Sequence, residues 1–139
     1  MHGVDAPGGM TSFVFGGIPT VNLPTMGVGT YSGSAFGSVY NNGASYVASG
    51  LFNASYNFGS LSGTMTISGL DGHTISGPIS GISGSGTYVG ALTGSGLTAA
   101  AEGFFFGRGA STTGGLFEAV SSVNPANYHI IGVFGGVRH

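Results

Sequence analysis

The sequence predicts an all-β fold: an eight-stranded antiparallel up-and-down β-barrel with a filled core and an N-terminal extended arm. Three observations carry this. From Thr30 onward, small or apolar residues alternate with hydroxyl and amide residues at period two. Turn signals of the Asn-Gly and Asp-Gly kind separate the alternating runs. No stretch keeps a helical period, and the density of glycine and β-branched residues opposes a helix. Eight sequential strands with short connections close into a barrel without an unpaired edge. Closure matters in a chain with so few charges to protect an open edge.

Residues 1–12 are polar and glycine-rich and read as a flexible tail. Residues 13–26 are apolar but broken by Pro19 and Pro24, which reads as an extended arm packed on the barrel domain over 27–138. The first strand sets Tyr31, Gly33, Ala35, Gly37 and Val39 on one face, and Asn41-Asn42-Gly43 turns it. The second sends Ala48, Gly50, Phe52, Ala54, Tyr56 and Phe58 inward. The third alternates most cleanly, with Leu61, Gly63, Met65 and Ile67 facing Ser and Thr, and ends at Asp71-Gly72. The fourth, near 73–80, aligns Ile75, Gly77 and Ile79, with Pro78 on the other face weakening the ladder. Tyr88, Gly90 and Leu92 mark the fifth, and Gly94-Ser95-Gly96 turns into the sixth, about 98–107, with Gly103, Phe105 and Gly107 inward. The seventh, about 114–121, points Gly115, Phe117 and Ala119 inward. The eighth, about 128–137, does so with Ile130, Gly132, Phe134 and Gly136. Phe52, Tyr56, Phe105, Phe117 and Phe134 are expected to fill space left open by Gly33, Gly63, Gly90, Gly103 and Gly132.

Charge excludes several functions. Of 139 residues, 4% are charged, against roughly 25% in an ordinary soluble domain. The cations are Arg108 and Arg138, so there is no basic patch for nucleic acid or an anionic membrane. Cys is absent, which removes disulfides and thiolate metal sites. No apolar run approaches the ~20 residues of a transmembrane helix. Met1-His2-Gly3 lacks the basic start and apolar core of a signal peptide. An exported parent would make this chain a mature fragment with an added Met1, and His139 after Arg138 matches the start of a tag.

Few residues suggest chemistry. His73 follows the Asp71-Gly72 turn and His129 opens the last strand. With a tyrosine such as Tyr88 they are candidates for haem or a metal, or else solvated loop histidines, since no metal-ligand spacing links them. Glu102 and Glu118 face outward on neighbouring strands, nearly opposite across a hairpin. Such a pair serves glycoside hydrolysis in a cleft, but a barrel wall is convex and the pair reads as surface charge. No nucleophile elbow, P-loop or dinucleotide fingerprint appears. No cofactor is expected. By parity, Phe104, Phe106, Leu116, Val120, Ile131 and Val133 point outward on strands six to eight. That apolar stripe marks an interface, either for the chain's own arm (Phe13, Phe15, Ile18, Val21, Leu23) or for another domain, another copy or a protein partner.

A set of short strings resembles one family. Gly16-Gly17-Ile18-Pro19-Thr20, Leu23-Pro24-Thr25-Met26-Gly27, Tyr31-Ser32-Gly33-Ser34-Ala35 and Asn57-Phe58-Gly59 to Ser62-Gly63 resemble the β-barrel domain of transferrin-binding protein B. So do Gly103-Phe104-Phe105-Phe106-Gly107, Gly114-Gly115-Leu116-Phe117 and the closing Gly132-Val133-Phe134-Gly135-Gly136-Val137-Arg138. The resemblance covers about 13–138. It implies a non-enzymatic surface or outer-membrane lipoprotein module of a Gram-negative bacterium, similar to the barrels of factor H-binding protein and the neisserial heparin-binding antigen. It also implies that the module recognises a host protein or an iron or haem carrier; the outward stripe on strands six to eight, with the loops, is the expected surface. The chain departs from the pattern at Asn57, where Asp is usual, at Ser111 and Thr112, where acids are usual, and at Val137, where Lys is usual. The alternative is a barrel that holds haem or a small apolar ligand.

Overall fold

In the computed structural model, which describes residues 24–82, 85–124 and 126–139, eight antiparallel strands close into one barrel in sequence order. They are β1 (Val28–Asn41), β2 (Ala44–Asn57), β3 (Ser62–Leu70), β4 (His73–Gly81), β5 (Thr87–Gly94), β6 (Leu97–Phe106), β7 (Thr112–Ser121) and β8 (Tyr128–Arg138). β1 closes on β8, from Tyr31 opposite Arg138 to Asn41 opposite Tyr128. Among the described residues there is no helix. The expected tail over 1–12, and the arm over 13–26 as far as residue 23, lie outside the described residues. Pro24 to Met26 lead into Gly27, whose carbonyl accepts the Phe58 N–H at 2.9 Å.

The alternation read from the sequence decides which side chains enter the barrel. Tyr31, Phe52, Tyr56, Tyr88, Phe105 and Phe134 are all almost fully buried. Tyr56, Phe58 and Tyr88 surround Phe105 with ring centroids 4.9, 5.3 and 5.1 Å away, and Phe52 meets Phe134 at 4.8 Å. Burying each such side chain contributes roughly 1.5–3 kcal/mol. The interior is therefore packed with rings and aliphatic groups. Three phenols enter that interior, Tyr31, Tyr56 and Tyr88, and the hydroxyls of Tyr31 and Tyr88 are hydrogen-bonded within it. Tyr31 donates to the Ala110 carbonyl at 2.6 Å. Thr113 donates to the Phe104 carbonyl at 2.8 Å, so the Tyr88 hydroxyl, 2.7 Å from Thr113 Oγ1, donates to Thr113.

The glycines divide into two classes. At Gly103 an added Cβ would sit 2.3 Å from the Tyr88 ring, and at Gly132 it would sit 2.6 Å from the Phe117 ring. Gly103 makes room for a ring, as expected, and Gly132 does so while also admitting the Phe36 carbonyl oxygen, 2.3 Å from its added Cβ. Gly33 and Gly63 do not. There the added Cβ would lie 2.0 Å from the Gly135 carbonyl oxygen and 1.9 Å from that of Ser55. The neighbouring strand's backbone takes the space, the signature of close backbone approach within a strongly coiled sheet.

Both ends follow local chemistry. Three hairpins at one end use two-residue turns with paired positive φ: Asn42 and Gly43, Asp71 and Gly72, Ser95 and Gly96. This is the type I′ geometry that matches strand twist. At the other end, Asn57 Oδ1 accepts the N–H groups of Gly59 and Ser60 at 2.8 and 3.0 Å. The amide thus fills the acceptor role that an aspartate would have in that turn. Gly107, expected inside β6, is instead exposed in the β6–β7 turn with φ +79°. β3 carries a bulge between Ile67 and Leu70, with Gly69 at φ +68°. The β4–β5 ladder pairs Ser76 with Thr93, skips Gly77 and Pro78, and resumes from Ile79 opposite Gly90 to Gly81 opposite Tyr88, in keeping with a proline that donates no ladder bond.

Candidate functional site

Two regions of the surface bring unusual side chains together. The first is the outer wall over β7, β8 and β1. Register places Leu116 beside Val133 and Val133 beside Phe36, so three apolar side chains form one rank across three strands. Leu116 and Phe36 are 50% and 49% exposed, and Ile131, two residues before Val133, is 60% exposed. The next rank carries no side chains at its centre: Gly114 and Gly135 pair, and Gly135 pairs with Ser34. Phe106, Thr112 and Val137 bound the far side. The result is a groove of ≈ 480 Å³, floored by glycine and walled by apolar groups. Glu102 faces Leu116 across the β6–β7 ladder, and Glu118 faces Ile131 across β7–β8, so both exposed carboxylates border the apolar rank.

Sequence parity located part of this wall and misplaced its centre. Leu116 and Ile131 are exposed, and Val120, Val133 and Phe104 are half-buried. Phe106 is buried, at 7% exposure, because it lies at the β6 end of the groove. Phe36 was missed. It stands between the outward Ser34 and Ser38 of β1, and the rule that placed Ala35 and Gly37 inside would have found it. Glu102 and Glu118 are not opposite one another: Glu102 pairs with Leu116 and Glu118 with Ala100, which sets them two residues out of register. No cleft holds them together, so the arrangement a glycosidase needs is not present there.

The second region lies at the type I′ end of the barrel. β1 and β2 run 14 residues each, and their last pairs extend beyond the β2–β3 ladder, which starts at Leu51 and Ser68. Tyr46 on this overhang reaches across to the β3–β4 turn and donates to Asp71 Oδ2 at 2.9 Å. Tyr128, at the start of β8, donates to the same oxygen at 2.5 Å, and its hydroxyl lies 3.1 Å from His73 Nδ1. Burial raises the Tyr128 phenol above its ordinary pKa, and the bond to Asp71 and its charge raise it further. Asp71, His73 and Tyr128 are half-buried at the rim.

This geometry separates the two histidines. His73 packs tilted against Tyr128, ring centroids 5.1 Å apart, whereas His129 packs tilted against Tyr40, also at 5.1 Å. Tyr128 and His129 are consecutive on β8 and leave opposite faces of the sheet. Tyr88, the third group of the expected haem or metal set, is buried in the core against Thr113. The structure therefore does not assemble His73, His129 and Tyr88 into one site. The signal for the actual cluster was the Asp71-Gly72-His73 turn. Its tyrosine partners depend on strand overhang and register, which period-two reading does not supply.

No family model matches the chain, and no curated protein does so by sequence. Its fold does match solved structures. Two are of transferrin-binding protein B from Haemophilus parasuis, a vaccine antigen, in singly and doubly substituted forms. They align at TM-score 0.65 with 20% and 21% identity over 84% of this chain. The fold is that of a transferrin-binding-protein-B-like barrel. A structure described as a surface lipoprotein aligns at TM-score 0.61 with 17% identity over 87% of this chain. The chain spans 27% and 26% of the length of the two transferrin-binding protein B chains, and 65% of the surface lipoprotein. The likeness is thus of one barrel to part of larger proteins. Among the described residues no helix is long and apolar enough to cross a membrane, which says nothing about strands.

Proposed function

We propose that this transferrin-binding-protein-B-like barrel is a non-enzymatic recognition module displayed at the surface of a Gram-negative cell, and that it binds a protein partner through its outer wall. The observation that carries the reading is the rank of Phe36, Val133 and Leu116 with Ile131 beside it. Exposed apolar groups in register over a rigid sheet are the substance of a protein interface, because the scaffold loses little freedom on binding. The flanking Glu102 and Glu118 favour a partner that offers an apolar anchor with a basic rim. The groove beside the rank has a backbone floor, which suits an inserted side chain. The packed interior argues against the alternative of haem or a small apolar ligand held inside.

The experiment is a surface binding measurement with the full-length parent protein against purified iron- and haem-carrier proteins and other host serum proteins. The reading predicts saturable binding to at least one of them. Uniform failure across that panel contradicts it. A shift of the haemin Soret band on mixing with the isolated chain, with coordination surviving in His73→Ala, would favour an interior ligand instead.

A further inference from the structure

We propose that the rim cluster of Tyr46, Asp71, His73 and Tyr128 is a metal site for a hard trivalent cation, ferric iron in particular. Among the described residues no group of three or more His, Cys, Asp or Glu stands ready for a metal. Here phenol oxygens complete the set. Two phenols, one carboxylate and one imidazole from three parts of the chain (the β1–β2 overhang, the β3–β4 turn and the first residue of β8) are joined in one hydrogen-bonded series through Asp71 Oδ2 and the Tyr128 hydroxyl.

Spacing supports the assignment. Ligand atoms held about 2.0–2.2 Å from a first-row cation stand about 3 Å apart when they subtend a right angle. The 2.9 Å between Asp71 Oδ2 and the Tyr46 oxygen and the 3.1 Å between the Tyr128 oxygen and His73 Nδ1 match that spacing, whereas the 2.5 Å hydrogen bond from Tyr128 to Asp71 Oδ2 must open as the cation replaces its proton. The donor set selects the ion. Phenolate and carboxylate oxygens are hard, anionic donors, and the imidazole is of borderline softness, so the set matches a cation of high charge better than a soft one. Half-exposure at the rim leaves room for water to complete the coordination shell. On binding, each phenol gives its proton to solvent and the cation takes its place, so two protons leave for the two phenolate bonds formed.

The support is held by the fold. The Asp71-Gly72 turn is fixed in type I′ geometry, and His73 is registered against Leu70. Tyr46 is also held from behind by Asn41, whose Nδ2 donates to its hydroxyl at 3.1 Å. None of these residues belongs to the outer wall, so the site is independent of partner recognition.

The test is a titration of the full chain with ferric nitrilotriacetate, followed by the visible phenolate-to-iron charge-transfer band. The proposal predicts a saturable band at one equivalent. Tyr128→Phe and Tyr46→Phe should each weaken binding by at least about tenfold, the loss seen even for outer-sphere partners, and the double variant should abolish the band. Tyr40→Phe, whose ring lies on the other side of β8, should leave it unchanged. Each variant's thermal midpoint is measured alongside, and Asp71→Asn keeps the turn while removing the anion. No band with the wild-type chain, a band that survives Tyr46→Phe with Tyr128→Phe, or equal affinity for Zn²⁺ without a proton release would overturn the proposal and leave the cluster as a hydrogen-bonded clasp.

Discussion

Tyr88 shows how a single position binds sequence to fold. Its ring occupies the space above Gly103, and its hydroxyl donates to Thr113, which donates on to the Phe104 carbonyl. Gly103→Ala drives a methyl into that ring and should cost about 1–3 kcal/mol, the usual penalty of overpacking. Gly135→Ala is the control. Its added Cβ meets only the Thr113 carbonyl oxygen, at 3.5 Å, and stability should stay within about 0.5 kcal/mol or rise slightly, because alanine restricts the unfolded chain. Urea midpoints compare the pair. Thr113→Val leaves the buried Tyr88 hydroxyl without its acceptor and should cost about 1–3 kcal/mol. Adding Tyr88→Phe should recover part of that loss, and non-additive urea midpoints in the double-mutant cycle check it. A third residue gives a pH signature. Burial, offset by Arg138 and reinforced by Tyr56, pushes the Tyr31 phenol up to about 12. A tyrosine in the unfolded chain ionises near ~10. The unfolded chain therefore loses this proton first as pH rises. The stability linked to Tyr31 is complete below pH ~10 and is lost progressively up to pH about 12. Urea midpoints should hold steady to about pH 10 and fall beyond it, in step with tyrosinate absorbance.

At the scale of strands, alternation made most of the architecture legible. The faces of β1, β3, β5, β7 and β8 follow from period two, and three turns were signalled by Asn42-Gly43, Asp71-Gly72 and Ser95-Gly96. What stayed hidden depends on register. The bulge between Ile67 and Leu70 inserts a residue that no local pattern announces, yet it sets where Asp71 and His73 stand. The overhang of β1 and β2 beyond β3 brings Tyr46 to Asp71, and only the pairing of distant segments determines it. Gly107 continued the glycine-aromatic alternation and was read as strand, but its positive φ belongs to the turn. Gly33 and Gly63 look the same in sequence as Gly103. Only the coiling of the sheet tells a glycine that admits a backbone from one that admits a ring. Pro78 gives the element-scale prediction. With no ladder pair assigned across it, the β4–β5 seam should open first. Amide exchange should be faster for β4 and β5 than for β1 and β2, which pair without interruption from Val28 opposite Asn57 to Asn41 opposite Ala44.

For the whole molecule, closure and filling govern what the surface can do. A sheet with no edge and few charges stays free of strand addition because every ladder is occupied, so its interactions must come from side chains on the outside. Most of that outside is Ser, Thr and Gly. The rank over β7, β8 and β1 sets Leu116, Val133 and Phe36 side by side across three strands, and two of the chain's four acids border it. The direct measurement is the affinity of the double variant Leu116→Asp with Ile131→Asp for whichever protein of the panel the wild-type chain binds. Its counterpart is Val47→Asp with Val89→Asp, two exposed valines on other strands. With thermal midpoints kept near wild type, a wall that anchors the partner predicts at least about a tenfold loss of affinity, or 1.4 kcal/mol, for the first variant and none for the second. Equal affinity in both variants would contradict it and place recognition elsewhere on the barrel.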